Sequence, residues 1–241
     1  MAGWTATVDE WERFSEAWED CRSRHPSIKY FKHYEAKHPS GEFHKLTIAD
    51  GNAKILALAK VISHYDVRGY IATVKHSILS SRPEQLRKLM GTRIYDWAFI
   101  AMVSTILEDF LNRGELSDKI DFIFDGCSEL RACIESYEIR RTEFPPSMRR
   151  IAGEVIPGDD HELVGLQAAD LLSGEHSIYL RTGAKEIPYS VLTDANIPIM
   201  EFEAITQPMM EPLLQYAQDV HKRAGVVHEM LKALKQMGVK L

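Results

Sequence analysis

Apolar and polar residues alternate through KIDFIFDG, residues 119–126, and then give way at once to helical spacing. A period of two sends Asp121, Ile123 and Asp125 to one face of a strand and Ile120, Phe122 and Phe124 to the other. A helix is expected in SELRACIESYEIRR, residues 128–141, before the stop at Pro145-Pro146. RRIAGEVIPG, residues 149–158, then reads as a second strand, and LVGLQAADLLSGE, from Leu163 to Glu175, as a second helix. A βαβα order of this kind folds as an α/β sheet with helices packed on its faces. Asp125 falls at a strand's carboxyl end, where open α/β sheets build their ligand sites. The alternative role for Asp125 is to cap the turn that follows.

Upstream, Ala2 to Thr7 begins as β-rich chain and turns into a helix, with Thr7 and Glu10 in capping-box spacing. Trp11, Phe14 and Trp18 mark that helix's buried face. HPSIKYFKHYEAKHPSGEFHK, residues 25–45, reads as loop and short strands, broken by His-Pro and Ser-Gly. A helix is expected from about Asp50 to Tyr65, with Ile55, Leu58, Ala59 and Ile62 on one side. RGYIATVKHSI follows as a strand, and residues 92–112 form a helix that is apolar almost all round. Beyond Gly183, PYSVLTDANIPI reads as loop, and the spacing of Leu213, Leu214, Ala217, Val220 and Val227 suggests amphipathic helices. The domain division that results is a folded unit over 1–183 and a helical C-terminal extension over 184–241.

The 241 residues carry a formal charge of −6, which argues against indiscriminate coating of nucleic acid or anionic lipid. A local basic groove is compatible with it. No membrane partner is expected, since WAFIAMVSTIL, residues 97–107, is much shorter than the roughly 20 residues a bilayer span requires. Cys21, Cys127 and Cys133 are an odd, sparse set with no C-x-x-C spacing, which points to a reducing, cytoplasmic setting. Neither a G-x-x-x-x-G-K nor a G-x-G-x-x-G loop occurs, so nucleotide-motor and dinucleotide functions lose their main support.

The chemistry is sought in two acids. Within the apolar run from Leu163 to Leu172, Gln167 and Asp170 stand one helical turn apart and share a face. An ionised carboxylate against apolar surface costs several kcal/mol unless it is paired, hydrogen-bonded or metal-bound. Asp125 and Asp170 together could hold one divalent cation, and oxygen ligands suit Mg²⁺ or Mn²⁺. The alternative is that Asp170 is a partly exposed acid on an amphipathic helix. His25, His33, His38 and His44 lack the tight pairing of a structural zinc site. Around them Lys29, Lys32, Lys37 and Lys45 interleave with Tyr30, Phe31, Tyr34 and Phe43. This strip either faces a nucleic acid, with charge for phosphates and rings for stacking, or tucks its rings into the core.

AGWTATVDEWERFSEAW, YFKHYEA, IDFIFDG and LQAADLLSG, in that order, resemble the domain of unknown function 3800 family, whose fold is ribonuclease H-like. The similarity spans roughly residues 2 to 182, and its most specific part is the Gln-x-x-Asp helix after a strand ending in Asp. The resemblance implies a ribonuclease H-like mixed sheet flanked by helices, and a carboxylate cluster for metal-dependent phosphodiester hydrolysis. Carried over by motif, the metal ligands are Asp125 and Asp170, with Gln167 beside them in the catalytic set. Lys32 and Glu35, within YFKHYEA, are the substrate-binding candidates.

Family members open with a strand bearing Asp-Glu-Ser, whereas this sequence starts at Met1-Ala2-Gly3-Trp4, so either its start is truncated or miscalled or the site is incomplete. A sheet without that strand leaves ladder groups unpaired on its neighbours. The expectation is therefore a replacement strand from elsewhere in the chain or from a partner, one form being a strand-exchanged homodimer. Three functions stay open at this point. They are a nuclease-like hydrolase, a catalytically incomplete module binding nucleic acid or a protein partner, and a hydrolase of small phosphorylated metabolites.

Overall fold

The computed structural model describes residues 1–75, 94–115, 119–194 and 197–204. Its elements in chain order begin with β1 (Ala2–Thr5), α1 (Val8–Ser23), α2 (His33–Lys37), α3 (Ile48–Ile62) and β2 (Arg68–Thr73). They continue with α4 (Ile94–Asn112), β3 (Ile120–Asp125), α5 (Leu130–Arg141), α6 (Pro146–Ile151) and β4 (Ala152–Gly158). The last are α7 (Val164–Thr182), α8 (Ile187–Asp194) and β5 (Ile199–Glu203).

The strands form two groups, β1-β2-β5 and β3-β4. β1 runs antiparallel to β2, whereas β2–β5 and β3–β4 are parallel. Helices cover both faces. Ile71 of β2 joins a core built on α1, α3, α7 and α8, while its neighbours Tyr70 and Ala72 join another built on α4, α5 and α6. That alternation follows from the two-residue period of a strand buried on both sides. The protein is thus a mixed α/β fold with helices around a small set of strands.

Local signals explain most element ends. Thr7 caps α1 by accepting from the Glu10 amide at 3.3 Å. The reciprocal half of the box is not made, because the Glu10 carboxylate accepts from the Asp66 amide at 2.9 Å and pairs with Arg13. Thr47 and Asp50 do complete a capping box on α3. At the far end of α1 the buried Lys54 ammonium donates to the carbonyls of Cys21 at 2.8 Å and Arg24 at 2.9 Å. It thereby satisfies acceptors that a helix terminus leaves open. Gly183 ends α7 in the left-handed region, φ 72°, which a glycine adopts without a Cβ clash.

Four expectations need correction. Residues 25–45 hold no strand; they form α2 and a 3-10 turn at Gly41–Phe43, because their buried rings face helices rather than a ladder. The Pro145-Pro146 stop also starts α6, where proline at the first helical position loses no hydrogen bond. PYSVLTDANIPI is not loop. It supplies α8, which packs on α3 and α7, and the start of β5, which pairs with β2. A helical extension therefore does not describe residues 184–204, which belong to the same body. The spacing from Leu213 to Val227 lies outside the described residues.

α2 and α3 approach so closely that a Cβ on Gly51 would meet the Ala36 carbonyl oxygen at 2.0 Å. Gly51→Ala should therefore lower stability by about 2 kcal/mol, because forcing two backbones apart outweighs the helix propensity that alanine adds. Thermal denaturation checks this, and an unchanged Tm would show that the α2–α3 contact yields freely.

Candidate functional site

The polar residues of α7 grip one segment of backbone. Gln167 is 0% exposed, and its Oε1 accepts from the Trp18 indole at 3.0 Å and from the Phe31 amide at 3.2 Å. Its Nε2 donates to the His161 carbonyl at 3.3 Å. One turn on, Asp170 Oδ2 accepts from the His33 amide at 2.7 Å. Glu175 then meets His33 Nε2 at 2.8 Å and Lys37 Nζ at 3.3 Å. A Cβ on Gly174 would lie 2.2 Å from the His33 ring, so glycine is what lets the ring pack on α7. Residues 31–33 are thus fixed against α7 by three side chains, and Lys32 is fixed with them.

Lys32 reaches Asp160 at 2.5 Å, and Asp160 is 7% exposed. Asp160 follows β4 and Asp125 is the last residue of β3, so the acids lie at and just past the carboxyl ends of two parallel strands. Asp125, Asp160 and Asp170 all line one cleft of about 920 Å³. Asp125 is an exposed residue, yet partial desolvation at the strand end lifts its carboxyl above its usual range, and the neighbouring Asp160 adds to the rise against the pull of Lys32. Burial likewise raises Asp170, opposed by the His33 amide, His33 and Lys32. For Lys32 burial acts downward, but the bond to Asp160 and the fields of Asp160, Asp125 and Asp170 outweigh it and raise the ammonium. The four groups form one electrostatic cluster, with three carboxylates around the lysine.

The remaining sequence candidates are distributed around this cluster. Gln167 is not among the residues lining the cleft; it acts on the cluster through the backbone of residues 31–33. Glu35 accepts from the Glu42 amide at 3.1 Å and from the Tyr30 hydroxyl at 3.4 Å, which braces the turn at Gly41. The aromatic strip divides. Phe31 and Phe43 are buried, Tyr30 stacks on His161 with ring centroids 4.0 Å apart, and Tyr34 is exposed.

Asp160 and Tyr95 are the cleft residues that the sequence reading missed. The signal for Asp160 was present in IPGDDHEL, an acidic pair directly after a strand. Tyr95, on the first turn of α4, lines the cleft, and burial together with Cys127 raises its hydroxyl pKa. Nothing local in its sequence marks it.

As donors, Asp125 and Asp170 fit a cation of Mg²⁺ or Mn²⁺ type, which is held by one or two carboxylates and keeps much of its water. A closed cage is not built: among the described residues no group of three or more His, Cys, Asp or Glu is placed to hold a metal ion. Among those residues, also, no helix is long and apolar enough to cross a membrane. No family model, no curated protein and no solved structure matches the chain.

Proposed function

We propose that the protein is a divalent-metal-dependent phosphodiesterase of nuclease type, built on a ribonuclease H-like fold. The observation that carries this reading is that Asp125 and Asp170, from β3 and α7, line the same cleft and act on the same lysine. Parallel and antiparallel strands between two helical layers support the fold. Asp125 and Asp170 would hold Mg²⁺ or Mn²⁺, which when bound supplies Lewis-acid polarisation of a phosphoryl oxygen and a lowered pKa for bound water. Lys32 is not among the residues lining the cleft; its ammonium, half-buried and paired with the cleft residue Asp160, would reach a phosphate only at the cleft's margin. Gln167 and Asp170 set its position by holding the Phe31 and His33 amides.

The experiment is cleavage of single-stranded, duplex and hybrid nucleic acids with Mg²⁺ or Mn²⁺, beside Asp125→Asn and Asp170→Asn. Each variant should lose about 100-fold or more in rate. Asp170→Asn should also be slightly more stable at neutral pH, because the Asp170 carboxyl is raised in the fold and its ionised form weakens it above that value, whereas Asp125 is exposed and its replacement should leave stability near wild type. Loss of cleavage with an undiminished Tm separates chemistry from folding. Cleavage by either variant at the wild-type rate would sink the assignment, and hydrolysis of mononucleotides alone would move the substrate to small phosphorylated metabolites.

A second reading, a catalytically incomplete module that binds nucleic acid or a protein partner, is favoured by one observation. Asp170 already accepts from His33, and Asp160 already pairs with Lys32, which leaves fewer free oxygens for a metal. Binding without turnover under all metals tested would select it.

A further inference from the structure

Two tyrosine–histidine pairs stand on the surface beside the acid cluster. Tyr30 and His161 stack with ring centroids 4.0 Å apart and planes 22° from parallel, and Tyr34 and His38 stack at 4.5 Å and 27°. Tyr34 is 69% exposed, His38 and His161 are exposed, and Tyr30 is half-buried, so each pair keeps ring surface in water. A single exposed ring is ordinary. A face-to-face pair differs, because its outer faces lie nearly parallel and a further planar group can continue the stack.

Both pairs are held in place by the fold. Gln167 fixes the first from two sides, since its Oε1 accepts from the Phe31 amide, next to Tyr30, and its Nε2 donates to the carbonyl of His161 itself. The His161 amide also donates to Asp159 at 2.8 Å. The second pair is built on α2 and its cap, where His38 follows Tyr34 by one turn and its Nδ1 meets the Tyr34 carbonyl at 3.2 Å. The Tyr30 hydroxyl reaches Glu35, the residue after Tyr34, at 3.4 Å, so the two pairs are neighbours.

Charge decides what else the planar partner carries. Residues 25–45 hold four lysines against two glutamates, in a chain of net charge −6. Lys29 and Lys45 are exposed and enter no ion pair among the described residues. Both glutamates accept backbone amides, Glu35 that of Glu42 and Glu42 that of Lys29. Lys32 pairs with Asp160, the residue before His161, and so stands at the edge of the first stack. Asp159 and Asp160 repel phosphate on the His161 side, so a polyanion here runs toward Lys29 and Lys32 and turns its bases to the rings. A duplex keeps its base faces against one another, whereas a single strand offers them to side chains.

We propose that the Tyr30–His161 and Tyr34–His38 pairs form a platform on which bases of single-stranded nucleic acid stack, with its phosphates toward Lys29 and Lys32. The choice of a nucleic acid rests on the phosphodiesterase reading, and it makes the substrate of that cleft a single strand. Every base has a π-face, so binding by such a platform tolerates any sequence.

The test measures binding by the full chain in EDTA, where no divalent metal is free, to a fluorescein-labelled single-stranded DNA dodecamer read by anisotropy. A second dodecamer carries 2-aminopurine, whose fluorescence falls when it stacks. Saturable binding with quenching is expected. Tyr30→Leu and Tyr34→Leu should each lower affinity about tenfold and reduce the quenching, and Tyr34→Trp should keep both at wild-type level or above. A duplex of the same sequence, and an abasic dodecamer that keeps the phosphates without the bases, should bind about tenfold more weakly or worse. Tyr34→Leu should not weaken the abasic strand further; Tyr34 is exposed, so an unchanged Tm is expected for that variant. Equal affinity for intact and abasic strands, full quenching in Tyr34→Leu, preference for the duplex, or no binding overturns the proposal. Stacking without cleavage under any metal would overturn the phosphodiesterase reading and leave the platform standing. Cleavage with no loss of binding in either tyrosine variant would do the reverse.

Discussion

Gln167→Leu should lower the stability of the fold by about 3 kcal/mol, or a Tm drop on the order of 10 °C for a domain of this size. The side chain is the single acceptor shared by the Trp18 indole and the Phe31 amide, and both donors are buried. Leucine fills a similar volume, so the loss comes from desolvated donors left unpaired rather than from a cavity. The His161 carbonyl loses its donor as well. Gln167→Glu keeps oxygen acceptors but buries a charge and removes the amide donor, so it should also destabilise. A Tm within a degree of wild type for Gln167→Leu would mean that the residue 31–33 segment is held by something other than this amide. Because Lys32 rides on that segment, faster amide exchange at Phe31 and His33 should accompany the drop.

The second large effect is expected at Glu175. Its side chain is fully buried, and it pairs with His33 and Lys37. Glu175→Leu removes the buried acceptor that meets His33 Nε2, while Lys37 keeps its second carboxylate, Glu186, at 2.9 Å; the unpaired buried ring nitrogen costs about 2–3 kcal/mol. Its pH dependence follows from the direction of the shift. Burial alone would raise the Glu175 carboxyl, but the His33 hydrogen bond and Lys37 outweigh it and hold the group below its usual range. A depressed acid contributes stability above its unfolded pKa, and that contribution is lost as pH falls through the folded value. Wild type should therefore lose stability on acidification from about pH 5 to pH 3, and the loss should be smaller in Glu175→Gln. Urea denaturation at stepped pH measures both curves; parallel curves would rule out Glu175 as a source of acid lability.

These two residues show where sequence reasoning reached and where it stopped. Asp170 and Gln167 stood out because polar groups in an apolar helix need partners, and the structure supplies partners for both. Their identity was hidden, because Trp18, Phe31 and His33 are brought to α7 by packing across most of the chain. Glu175 and His176 lie beyond the apolar run and carried no reading from sequence, yet both are buried. Asp125 was placed by local pattern alone, as a strand end before a glycine and a helix. Asp160 was not, since an acidic pair in a loop is ordinary until Lys32 is seen beside it.

Local periodicity and caps were enough to set α1, α3, α4, β3 and α7, because each buries a face whose spacing the chain itself carries. They could not set β5, whose short run from Ile199 becomes a strand only through parallel pairing with Gly69 to Thr73 of β2. Nor could they set α2, where five residues are too few to be helical without the backbone contacts of α7 and α3. The gathering of Asp125, Asp160, Asp170 and Lys32, and the stacking of Tyr30 on His161, belong to the tertiary structure. Burial and electrostatic fields depend on distances through space, and sequence separation does not contain them.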